Sequence, residues 1–169
     1  MLNPRAKYDN IVQYMEKMMK EALAQAELAL AMGEVPVGAI IEKDGEIIGR
    51  GHNRTETMKD PTAHAEILAI KEAAAKLGGW RLLGCTLYVT TEPCSMCAGA
   101  IVLARLAKVV IGTKDPKAGA CGSILNIIEN PRLNHRPEVV FGIMEEDCRR
   151  IMQDFFTLLR KKKSEDTIL

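Results

Sequence analysis

Cys94 and Cys97 stand three positions apart directly after Pro93, at the start of an apolar stretch that reads as a helix, so both sulfurs can face the same point. Residues at i and i+3 share one face of a helix, and a helix N-terminus favours thiolate over thiol. The pair therefore suits a soft divalent metal. By itself it reads equally as a redox dithiol, as half of a structural zinc site or as part of a catalytic one. Five cysteines and no segment resembling a secretory signal argue against a disulfide framework. Cys85, Cys121 and Cys148 have no local partner and suit small apolar packing positions.

No second Cys-x-x-Cys is present, so a four-thiolate ribbon is not expected, and the upstream histidines His52 and His64 become the competing third ligands. One histidine with two cysteines leaves a fourth position on zinc for water, which is the arrangement of a catalytic site. His52 reads more simply as a strand-end or turn residue. His64 is followed two positions later by Glu66, a carboxylate suited to carry a proton between a zinc-activated water and a leaving nitrogen. If both residues lie within a regular helix they point to nearly opposite sides, which leaves their joint action a matter of local geometry.

Periodicity places these residues on elements. An amphipathic helix is predicted from Ile11 to Met32, ended by Gly33, and strands over Val37–Lys43 and Glu46–Arg50 flank an Asp44-Gly45 hairpin turn. A second helix opens near Asp60 to Thr62, with His64 and Glu66 in its first turns, and stops at Gly78-Gly79. Thr86–Thr90 reads as a strand, Ser95–Leu106 as a helix buried on most sides, Val109–Gly112 and Val139–Gly142 as strands, and Met144–Lys162 as a closing helix. A single domain over residues 13–163 is expected, with an N-terminal extension at 1–12 and a C-terminal tail at 164–169. Strands alternating with helices predict an α/β protein with a mixed sheet covered by helices.

His64-Ala65-Glu66 with Pro93-Cys94-Ser95-Met96-Cys97 resembles the signature of the zinc-dependent cytidine and deoxycytidylate deaminase family. Glu34 to Ala39, Gly51-His52-Asn53-Arg54, Asp60 to Ile67, Leu87-Tyr88-Val89-Thr90 and Asn134-His135-Arg136 resemble the branch of that family that acts on tRNA adenosine. The resemblance implies a three-layer α/β/α fold and zinc held by His64, Cys94 and Cys97. It further implies Glu66 as proton carrier and hydrolytic conversion of the wobble adenosine of a flipped-out anticodon base to inosine. It implies base contacts from Asn53, Val37, the Ala65 backbone N–H and the wall of His64, with no organic cofactor, a homodimeric assembly and a cytoplasmic location. A free-base deaminase acting on cytosine or guanine would use the same zinc residues, and a non-catalytic zinc-stabilised RNA-binding module would use only the ligands.

Net charge decides little, since 23 basic residues face 22 acidic ones. The excess lies downstream of the cysteine pair: from Arg132 to Lys163 eight basic residues stand against five acidic ones. Phosphates attract such a surface and unpaired bases stack on aromatic or guanidinium planes. Lys114, Asp115, Arg136, Phe155, Phe156 and Arg160 are the expected RNA contacts. The charges that interrupt Ile11–Met32 exclude it as a membrane span.

Overall fold

The structure, a computed structural model, describes residues 4–166. Helix α1 (Pro4–Ala31) leads into the hairpin β1 (Gly38–Lys43) and β2 (Glu46–His52). A short α2 (Thr55–Met58), α3 (Ala65–Leu77), β3 (Thr86–Thr91), α4 (Ser95–Leu103), β4 (Lys108–Thr113), β5 (Glu138–Phe141) and α5 (Glu145–Asp166) follow. The five strands form one mixed sheet in the order β2-β1-β3-β4-β5. β1 runs antiparallel to both of its neighbours, while β3, β4 and β5 run parallel.

Alternation along the strands builds two cores. Ile41, Leu87, Val89, Val109 and Ile111 face α3 and α4, where Ala65, Ala69, Ala73, Ala98 and Ile101 complete the larger cluster. Ile40, Tyr88 and Val110 point to the opposite face and meet Met18, Met19 and Ala22 of α1 and Cys148 of α5. Side chains of period two thus feed both faces of the sheet, and the three-layer α/β/α expectation holds. The hairpin closes at Asp44 and Gly45, whose φ values of 53° and 85° are those of the tight turn that Asp-Gly favours.

Several boundaries differ from the sequence reading. α1 begins at Pro4 rather than Ile11, so residues 4–12 are helical. α5 likewise reaches Asp166 and takes in the start of the expected tail; residues 1–3 and 167–169 lie outside the described residues. α4 is buried on one side only: Cys97, Ala98, Ile101 and Val102 face inward, while Leu103 is 71% exposed. Its uniformly apolar composition carried no signal to tell the two sides apart. Among the described residues no helix is long and apolar enough to cross a membrane.

Candidate metal centre

α3 and α4 both begin at the end of the sheet where β3 terminates, and their N-termini carry the chemistry. His64 is the residue before α3 and has extended backbone, with φ −78° and ψ 153°; Cys94 occupies the same place before α4, with φ −71° and ψ 176°. Neither start is capped by a side chain. His64 therefore lies outside the helix in which the sequence reading placed it. This removes the objection that residues two apart on a helix diverge: His64 turns off an extended residue, while Glu66 projects from the helix itself.

His64 Nδ1 lies 3.6 Å from Cys94 Sγ and 3.6 Å from Cys97 Sγ. Two corners of a tetrahedral zinc site, one nitrogen and one sulfur at usual bond lengths, are separated by about 3.6 Å. His64, Cys94 and Cys97 are the one such group of potential ligands among the described residues, with all donor atoms within 4.8 Å of one another. One imidazole and two thiolates suit zinc and would fill three of its four positions. Hydrogen bonds from Cys97 and then His64 hold the Cys94 thiol down to about 3, and the hydrogen bond with Cys94 raises His64. His52 takes no part: its Nδ1 pairs with Gln25 Oε1 at 3.2 Å, on the α1 side. Cys85, Cys121 and Cys148 are buried, and burial pushes all three thiols up.

Glu66 is 3% exposed. Burial pushes its carboxyl above the usual carboxylate range, and its side chain lies within hydrogen-bonding reach of Cys97. A buried acid that forms no ion pair among the described residues is costly as structure alone, and an elevated pKa suits a group that must both take and give a proton near neutrality.

Backbone hydrogen bonds connect the segments that carry the expected base-contacting residues. Asn53 N–H donates to Val37 O at 3.0 Å, Arg54 N–H to Ala63 O at 3.0 Å, and Gly38 N–H to Thr90 Oγ1 at 3.1 Å. Val37, Asn53 and the His64 segment are thus linked edge to edge. Asn53 is buried and its amide donates to Thr55 Oγ1 at 3.5 Å. Ala65 is the first residue of α3, so its N–H has no partner within the helix and is available to a ligand.

Two buried carboxylates, Glu34 and Glu92, hold nearby loops through backbone amides. Glu34 accepts from Thr57 N–H at 2.6 Å, Glu56 N–H at 3.3 Å and Thr55 Oγ1 at 3.4 Å, so it caps the start of α2 directly after Asn53. Glu92 does the same for the segment after β4. Single glutamates carry no periodic signal, and α2 spans only four residues, too short for one.

The expected RNA contacts divide. Lys114, Arg136 and Arg160 are exposed and Asp115 is half-buried. Asp115 Oδ1 accepts from the Lys117 and Ala118 N–H groups at 2.9 and 3.2 Å. The Lys114 ammonium lies 5.7 Å from the Phe141 ring centroid. His135 Nε2 pairs with Leu106 O at 2.6 Å and anchors the segment that displays Arg136. Phe156 is 41% exposed, but Phe155 is 7% exposed and packs edge to face against it at 5.3 Å, so only Phe156 offers a surface for stacking.

Residues 14–160 match the MafB19-like deaminase family. Over 148 residues, 88% of this chain and 92% of the relative, the chain is 53% identical to the tRNA-specific adenosine deaminase of Bacillus subtilis. A solved structure from work on A-to-I editing by tRNA:A34 deaminases at the wobble position superimposes with a TM-score of 0.77 at 44% identity, over 80% of this chain and 98% of that one. A guanine deaminase structure from Bacillus subtilis is also 44% identical, but with a TM-score of 0.56 over 59% of this chain and 64% of that one. By sequence and by fold, the chain belongs to the MafB19-like deaminase family, among the tRNA-specific adenosine deaminases.

Proposed function

We propose that this protein is a zinc-dependent hydrolase that converts adenosine to inosine at the wobble position of a tRNA anticodon. The observation that carries the reading is the buried Glu66 carboxyl beside a three-donor set that leaves one tetrahedral position open. The identity to tRNA-specific adenosine deaminases over most of the chain supports the substrate.

In this reading His64 Nδ1, Cys94 Sγ and Cys97 Sγ hold zinc, which when bound makes water acidic enough to act as a nucleophile near neutral pH. Glu66 accepts the proton that the attacking water gives up and delivers it to N1 of the adenine ring. A second proton passes through the same carboxyl to the amino nitrogen, which leaves C6 as ammonia. One water and one adenosine yield one inosine and one ammonia. Asn53 and the Ala65 N–H hold the base by its polar edges, while Val37 and the His64 ring flank its face. The burial of Glu66 and Asn53 keeps bulk water from competing for these bonds.

Lys114, Asp115, Arg136, Phe156 and Arg160 serve in this reading as contacts to the anticodon loop. A homodimer is the proposed assembly, supported by the exposed apolar residues Leu103, Ile124 and Leu125 on α4 and in the loop after β4. A tRNA substrate sets the site of action in the cytoplasm.

The experiment offers the purified protein an anticodon stem-loop with adenosine at the wobble position and, separately, free adenine, guanine and cytosine. Inosine in the stem-loop with no reaction on the free bases is expected. Deamination of a free base with none in the stem-loop would move the reading to a nucleobase deaminase. Zinc-loaded protein that binds the stem-loop without reacting would move it to an RNA-binding module.

A further inference from the structure

Glu92 stands between the end of β3 and Pro93, is 3% exposed, and forms no ion pair with any cationic side chain among the described residues. Its charge is met by amides. Oε1 accepts from Cys121 N–H at 2.9 Å and Ser123 N–H at 3.1 Å; Oε2 accepts from Asp115 N–H at 3.0 Å and from the Ser123 hydroxyl. Both ends of the segment from Asp115 to Ser123 are therefore held by one side chain.

The middle of the segment lies on the ligand turn. Ala120 N–H donates to Pro93 O at 2.8 Å, and Gly119 bridges to Cys94. A Cβ at Gly119 would collide with the Glu92 carboxylate, so the absent side chain is what lets the backbone close over it. Burying a carboxylate costs far more than burying an apolar residue of the same size unless every lone pair is met. Packing alone would be served better by an uncharged side chain. The carboxylate supplies what an apolar residue lacks, a fixed geometry for three backbone amides at once.

We propose that Glu92 is a positioning residue for the substrate: it holds the 115–123 segment against the Pro93–Cys94 turn and so sets Asp115 and its neighbour Lys114 at the edge of the site. The hydrogen bonds of its carboxylate all go to Asp115, Cys121 and Ser123, so it acts through the loop. This assignment rests on the tRNA reading above for the identity of the substrate, but the clamp itself does not.

The test compares zinc-loaded full-length protein with Glu92→Gln, whose amide nitrogen cannot accept the Asp115 N–H. KM for an anticodon stem-loop is expected to rise about tenfold, with kcat within about twofold and a full zinc complement. Amide hydrogen exchange at Asp115, Cys121 and Ser123 is expected to accelerate, with Val109 to Ile111 of β4 unchanged. An unchanged KM, a loss confined to kcat, or retained protection at the three amides would overturn the assignment. Should Glu92→Gln fail to fold, Ser123→Ala removes one arm of the clamp and keeps the carboxylate. It is expected to raise KM about threefold and speed exchange at Ser123; no change in either overturns the proposal. If the unmodified protein does not act on the stem-loop, the tRNA reading fails, and the exchange comparison alone decides the clamp.

Discussion

His64 and Glu66 are separated by one residue, and the start of α3 falls between them: His64 is extended and Glu66 is helical, so the two side chains leave the chain from different backbone conformations. Glu66→Gln preserves size and leaves the donor triangle untouched. It is expected to retain zinc and fold while lowering kcat by about a thousandfold, the range of a lost proton carrier. Ammonia release under saturating stem-loop measures it, and turnover near that of the unmodified protein would remove Glu66 from the role.

The donor triangle predicts a metal dependence specific to three residues. Dialysis against a chelator is expected to abolish activity and added zinc to restore it, because thiolates and imidazole bind reversibly. His64→Ala is expected to lower the zinc content measured by atomic emission. Full zinc content in that variant would point to a different third ligand, although His52 is held by Gln25 on the α1 side.

That His64, Cys94 and Cys97 come together was legible in the sequence, because a Cys-x-x-Cys pair and a His-x-Glu are local patterns with few competing meanings once found together. The α/β layering was legible because β1, β3 and β4 alternate apolar residues toward both helical layers. The start of α3 was not, since Asp60, Pro61 and Thr62 are all good helix openers and only tertiary contacts choose Ala65. Asp60 is instead used in a turn, where its side chain accepts from Thr62 N–H at 2.8 Å and from the Thr62 hydroxyl at 2.7 Å. The roles of Glu34 and Glu92 leave no sequence signal for a related reason. A carboxylate that binds backbone amides of a distant loop has no partner residue type to search for.

Gly51 fixes the height of α3 on the sheet, since a Cβ there would collide with the Ala65 carbonyl oxygen. Gly51→Ala is expected to cost about 1–3 kcal/mol of stability through overpacking. It is also expected to lower kcat at least about tenfold, because the first turn of α3 and Glu66 with it must shift. Thermal unfolding and single-turnover rates check the two effects. A stable variant with an unchanged rate would show that α3 tolerates displacement.

Glu34 links the fold to pH. Burial works against its charge, but the bonds from Thr57, Glu56 and Thr55 outweigh this and hold the carboxyl below its usual value. A group depressed in the folded state contributes stability that is complete above the unfolded pKa, about 4.3, and is lost as pH falls through the folded pKa. The difference in urea midpoint between the unmodified protein and Glu34→Gln is therefore expected to be largest near neutrality and to narrow below about pH 4.3. A difference that stays constant across that range would contradict the assignment.

Wobble-adenosine hydrolysis is tested most directly by running the reaction on an anticodon stem-loop in heavy-oxygen water and analysing the product nucleosides by mass spectrometry. Inosine at the wobble position is expected to carry one heavy oxygen, with ammonia released in equal amount and labelled product from Glu66→Gln formed about a thousandfold more slowly. Adenosine left unconverted at that position, or inosine formed without the label, would contradict it.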